Sequence, residues 1–158
     1  MFKLKRVILA LTAVTALQVS VLHMSAFAED GRVKVASNVT VNEAVMRLKG
    51  AVEKAGARVF SIVDYAKGTA SVGVTLRPTT LVIFGSPKIG ATALKVGQTM
   101  GLYLPLRILA YEDTAGKVWL LYSDPADAAV KHGIPADHPA VVRMQAAIAK
   151  MARFAAGG

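Results

Sequence analysis

The residues best placed to do chemistry in this chain are Asp64, Arg77, Lys88, Arg107 and Glu112. Each falls at the end of a strand-like stretch or in a loop joining two of them. The segment Gly85-Ser86-Pro87-Lys88 adds backbone amides, a hydroxyl and an ammonium to the set. Guanidinium and ammonium groups pair with carboxylates and phosphates, and a glycine-bearing turn exposes N–H donors, so the expected site is a small-anion pocket. Two alternatives stay open. In one, Ser86-Pro87 only turns the chain and the charges pair at the rim of a sheet. In the other, Asp64 or Glu112 is the acid or base of an enzyme.

Other chemistries fail on residue type or spacing. The chain has no cysteine, which excludes disulfides, thiolate catalysis and cysteine-ligated metal centres. Gly85 to Gly90 lacks the glycine spacing and the Lys-Ser/Thr pair of a phosphate-binding loop. No G-x-S-x-G is present for a serine nucleophile. Glu112 and Asp113 are adjacent at a strand end, so their side chains diverge. His132 and His138, separated by Gly133 and Pro135, match neither a helical ligand pair nor a usual zinc spacing. His132 reads instead as a helix C-terminal residue, and Met46, Met144 and Met151 as core filler. No metal, cofactor or catalytic set is expected.

Those residues need a scaffold, and the pattern supplies one. Gly31 to Asn38 alternates with a period of two, as a strand with one wet face does. Thr40-Val41-Asn42-Glu43 is a capping box. The helix it opens carries Val41, Val45, Leu48, Val52 and Ala55 on one stripe and stops at Gly56. Ala57 to Val63 reads as a central strand, and Thr79 to Phe84 as a buried one. Residues 64–77 have no clear assignment. Ser86 to Gly90 reads as a turn in which Gly85 takes a positive φ, followed by a short helix over Ala91 to Val96. Leu104 to Glu112 and Lys117 to Ser123 flank a hairpin turn at Asp113-Thr114-Ala115-Gly116. Asp124-Pro125 caps a short helix, and a final helix runs from about Pro139 to Ala155. The fold class is α+β: a single sheet in the order strand-helix-four strands-helix, with the helices on one face.

Residues 1–28 read as a cleavable secretory signal. Lys3, Lys5 and Arg6 precede an apolar stretch from Val7 to Val19, and Ala26-Phe27-Ala28 supplies a small-x-small cleavage site. The alternative is an N-terminal membrane anchor. Residues 29–158 then form one α+β domain, and removing the leader lowers the formal charge from +9 to +6. The remaining Lys and Arg are dispersed, without a basic-aromatic stripe, so nucleic acid is not an expected partner. Trp119 and Tyr122 fall on opposite faces of their strand.

Several landmarks occur together: Leu76-Arg77-Pro78-Thr79-Thr80-Leu81-Val82-Ile83-Phe84-Gly85-Ser86-Pro87-Lys88, Leu104-Pro105-Leu106-Arg107, Tyr111-Glu112-Asp113 with Gly116-Lys117-Val118-Trp119, and Tyr122-Ser123-Asp124-Pro125. Through them the chain resembles the bacterial and archaeal family of domain of unknown function 302, from roughly Ser37 to the C-terminus. The resemblance implies a TATA-binding-protein-like fold and a homodimer, and no established chemistry. Members commonly carry a histidine after the aspartate that ends the second strand, whereas Asp64 is followed here by Tyr65. The phenol's ordinary pKa of about 10 makes it no substitute for imidazole near neutral pH. The family's glycine-asparagine-proline turn reads Gly85-Ser86-Pro87 in this chain. The expected function is an exported, dimeric binding module of the cell envelope, periplasmic or secreted. Its ligand site comprises Asp64, Arg77, Gly85, Ser86, Lys88, Arg107 and Glu112, and its partner is a small anion or an envelope protein. A purely structural dimer docking an envelope partner is a further alternative.

Overall fold

A computed structural model describes residues 26–29 and 31–158. Residues 1–25, which hold most of the expected leader, lie outside the described residues, as does Asp30. The elements are β1 (Ala26–Glu29), β2 (Arg32–Ala36), α1 (Val41–Lys54), β3 (Arg58–Asp64), α2 (Tyr65–Ala70), β4 (Thr79–Gly85), α3 (Pro87–Val96), β5 (Leu106–Glu112), β6 (Val118–Ser123), α4 (Pro125–Lys131) and α5 (Pro139–Ala155). They build one six-stranded antiparallel sheet in the order β1-β2-β6-β5-β4-β3. From β2 onward this is the expected strand-helix-four strands-helix plan, with α2, α3 and α4 added in the connections. The expected cleavage site falls inside β1, whose Ala26 to Ala28 pair with Val35 to Val33.

Local chemistry sets the ends of the helices. The Thr40 hydroxyl accepts from the Glu43 amide at 3.2 Å, while the Glu43 carboxylate turns forward to Arg47 at 2.7 Å instead of closing the box. Gly56 follows α1 with φ +68°, a left-handed stop that a side chain would strain. Asp124 caps α4 by accepting from Ala126 N at 2.8 Å. His138 caps α5, its Nδ1 accepting from Ala140 N at 3.2 Å.

The core lies between the sheet and the α1–α5 pair. Val35, Leu48, Val52, Val82, Phe84, Ile108, Leu120 and Ile148 are each no more than 2% exposed. At roughly 25 cal/mol per Å² of apolar surface removed from water, this layer is the main stabilising term. A second cluster joins α3, α4 and α5 through Ala93, Met100, Ile134, Val141 and Met144.

Four expectations are corrected. Ala57 to Val63 is an edge strand, with β6 and β5 central. Ser86 to Gly90 is no free turn: Ser86 is the N-cap of α3 and Pro87 its first residue, since proline's fixed φ and missing N–H suit that position. Gly85 ends β4 and is absent from the positive-φ glycines, so its backbone is open to other residues. Met46 is 67% exposed and fills no core, unlike Met144 and Met151.

Candidate functional site

The expected site residues fall into two groups at opposite ends of β4. That strand has seven residues, which separates its ends by about 20 Å. Asp64 lies opposite Thr80, near the start of β4. There it caps α2, with Oδ1 accepting from Lys67 N at 2.9 Å. Arg77 is at the same end and donates from Nε to the Glu112 backbone carbonyl at 3.3 Å. Gly85, Ser86 and Lys88 are at the far end, together with Arg107, which sits opposite Ile83 and donates to Leu102 O. Asp64, Arg77 and Glu112 therefore share no pocket with Gly85 and Ser86. Antiparallel pairing caused the split, because loops that neighbour one another in sequence leave from alternate ends of a meander.

The far end does contain a cavity, of about 470 Å³. Phe60, Phe84, Ile89, Leu94, Met144 and Met151 are among its walls, and Gly85-Ser86-Pro87 forms part of its rim. Three features of the chain open it. Gly85 ends β4 without a side chain, and a Cβ there would come within 3.6 Å of the Phe60 ring and 3.5 Å of Pro105 Cβ. The bulge in β3 between Val59 and Ser61 leaves Phe60 outside the ladder, beside the cavity. Pro87 then starts α3 at once, so α3 roofs the space with Ile89, Gly90 and Leu94.

The lining is apolar. Among its side chains Ser86 is the polar one, and no Asp, Glu, His, Lys or Arg contributes. The anion-binding pocket expected from sequence is thus corrected in character: the turn is at the cavity, but the charges are not inside it. Lys88, exposed in the first turn of α3, follows the rim residue Pro87 directly. The helix face of α5 that supplies Met144 and Met151 was visible as an apolar stripe; that it borders empty space was not.

A second, more polar hollow of about 330 Å³ lies between the end of β6 and the 3-10 helix Gln98–Leu102. Arg107, Tyr103 and Asp124 line it. Asp124 is already engaged by Gln145 Nε2 at 2.9 Å and by its capping bond. Beside it the Tyr103 and His132 rings lie 5.0 Å apart, and His132 Nδ1 is 2.8 Å from Thr99 Oγ1.

At the hairpin between β5 and β6, Asp113 organises the turn. Its Oδ1 accepts from Ala115 N and Lys117 N, and its Oδ2 from Trp119 Nε1 at 2.7 Å. The Trp119 bond, then the Lys117 amide, holds the Asp113 carboxyl below its ordinary value of 3.8. Lys34 and Lys117 cover the indole, at 4.0 and 4.4 Å from its centroid.

Among the described residues no group of His, Cys, Asp and Glu could hold a metal ion, and no helix is long and apolar enough to cross a membrane.

Fold and cavity together define a single-sheet α+β domain with an apolar pocket at one end of its meander. The chain belongs to the family described as domain of unknown function DUF302, whose profile matches residues 33–154. A crystal structure of an uncharacterized conserved DUF302 protein from Bacillus stearothermophilus superposes with a TM-score of 0.72, covering 80% of this chain and 99% of that one at 16% identity. At that identity the likeness speaks for the fold. The chain is also 38% identical over 136 residues to the fluoride-specific ion channel FluC 1 of Brucella suis biovar 1, covering 85% of this chain and 53% of the relative. The corresponding protein of Brucella abortus biovar 1 matches at 38% over 136 residues and 50% of its length. The chain thus spans about half the length of the curated relatives it matches.

Proposed function

We propose that this protein is a binding module whose cavity beneath α3 takes a small ligand with an apolar body. The observation behind this reading is the cavity itself: about 470 Å³, walled by aliphatic and aromatic side chains. That size lies in the range of small-molecule sites, roughly 300–1,000 Å³. A lining without a titratable side chain favours binding over acid–base catalysis by Asp64 or Glu112. An anionic end on the ligand would meet Lys88 at the rim. The module is exported through residues 1–28 or anchored by them, and works in the envelope as a homodimer.

Thermal shift with decanoate and decanol tests the ligand class. A ligand at about 100 times its Kd should add about 2.7 kcal/mol of stability. Ala147→Phe, which places a ring in the cavity, should abolish the shift from both compounds. Lys88→Ala should reduce the decanoate shift and spare decanol. No shift with either compound would overturn the reading.

The curated relatives support a second reading, in which the domain works beside a membrane ion channel. Among the described residues no helix is long and apolar enough to cross a membrane, and the chain spans about half the length of those relatives. A strain lacking the chain should then become more sensitive to fluoride; unchanged growth across a fluoride series would count against it.

A further inference from the structure

The face of the sheet away from α1 and α5 carries its own pattern. Strand register places Val63, Leu81, Leu109 and Leu121 in one row across β3, β4, β5 and β6, with Lys34 of β2 at its end. Ile83, Tyr111 and Trp119 lie on the same face, one step to either side of the row. The aliphatic residues are only half-buried. Around this apolar strip stand Lys34, Arg107 and Lys117, with Arg58 opposite Gly85 at the edge. Most acids are elsewhere: Glu43 and Glu53 on α1, Asp124 and Asp127 at α4, Asp137 before α5, and Asp64 and Glu112 at strand ends whose register, opposite Thr80 and Val118, is that of the covered face. Asp113 borders the strip with its carboxylate occupied by Trp119 and two amides, and Glu29 of β1 falls opposite Arg32 on the same face, past Lys34.

We propose that this open face docks an acidic protein segment, one that presents apolar side chains flanked by Asp or Glu. Apolar rows exclude water on contact, and a rim of one sign selects a partner of the other. A second copy of this chain is a poor occupant, since two such faces would set cations against cations. Copies of this chain would have to meet through another surface. Single-stranded nucleic acid needs an open ring to stack on. Trp119 is 9% exposed, lies under two lysines and has its N–H committed to Asp113. The proposal is independent of the cavity, so an empty cavity would not affect it.

Trp119 is the only tryptophan and lies on this face, which makes its fluorescence a local reporter. The full chain is titrated with a synthetic amphipathic peptide of Leu and Glu and, in parallel, with its Leu/Lys counterpart. Phosphatidylglycerol vesicles and a dT oligonucleotide complete the set. The Leu/Glu peptide should give a saturable change that Arg107→Glu and Leu109→Asp each weaken at least tenfold. Lys150→Glu, on the outer side of α5, should leave it unchanged. Circular dichroism melts identify any variant that fails to fold, and either of the two face variants suffices. An equal response to the Leu/Lys peptide, or a response to vesicles or dT alone, would overturn the proposal. So would no response to the Leu/Glu peptide, or one indifferent to both face variants.

Discussion

The two faces of the sheet use the same strands and the same kinds of residue, yet differ in what covers them. On one face Val82, Ile108 and Leu120 are sealed at 0% exposure under α1 and α5. On the other, their immediate neighbours Leu81, Leu109 and Leu121 remain half-buried beside lysine and arginine. Hydrophobic residues on both sides of a strand do not by themselves signal a strand buried on both sides. The covered face makes the fold, and the open face is the one proposed to bind.

The sharpest way to break this contrast is a pair of substitutions at consecutive positions of β5. Ile108→Ala should cost about 2–5 kcal/mol, because the site is closed and leaves a cavity. Leu109→Ala should cost roughly 1 kcal/mol, since a half-exposed side chain gives up only part of its transfer energy. Urea titrations of both variants compare them directly, and equal losses would mean the open face is covered in solution.

Gly97 tests the packing on the covered side next. A Cβ at Gly97 would come within 2.5 Å of the His132 carbonyl and 2.8 Å of Ile134 Cγ1. Gly97→Ala should therefore cost about 1–3 kcal/mol by overpacking the α3–α4 cluster. A melting temperature within experimental error of the parent would show that this junction yields.

The effect of Asp113 is smaller and dependent on pH. Its carboxyl is held below 3.8 in the folded chain, so the stabilisation from its charged form is complete above the unfolded value. It is lost as pH falls through the lowered folded value. Asp113→Asn should lower the melting temperature near neutrality and flatten the loss of stability below about pH 4. Parallel acid titrations of the two proteins would contradict the assignment of Asp113 as the turn's anchor.

Gly85→Val and Lys88→Ala should have the least effect on stability. Gly85 has ordinary strand geometry, and a Cβ there meets Pro105 and Phe60 at normal contact distance. Lys88 is exposed, and such residues contribute about 0–1 kcal/mol. Melts of both variants should lie close to the parent. A large loss for Gly85→Val would place strain where the backbone shows none.

The local elements could be read from the chain alone, because their signals are short in range. Thr40 with Glu43, Asp124 with Pro125, and the stripe from Val141 to Ala155 each fix an end or a face within a turn or two of chain. The β5–β6 hairpin was legible for the same reason, since the connection from Glu112 to Val118 is too short for a crossover, whereas β3–β4 and β4–β5 are joined by helix-bearing segments long enough for one. Tertiary structure alone decided three things. Ala57 to Val63 reads as a buried strand by composition, but nothing in its own residues says that no further strand pairs beyond it. The charged candidates look like one cluster in sequence, but each reversal of the meander sends the next loop to the opposite end of the sheet. Empty space beneath α3 is the third. A cavity exists where side chains from β3, β4, α3 and α5 fail to meet, and that depends on distances between elements that no single segment encodes.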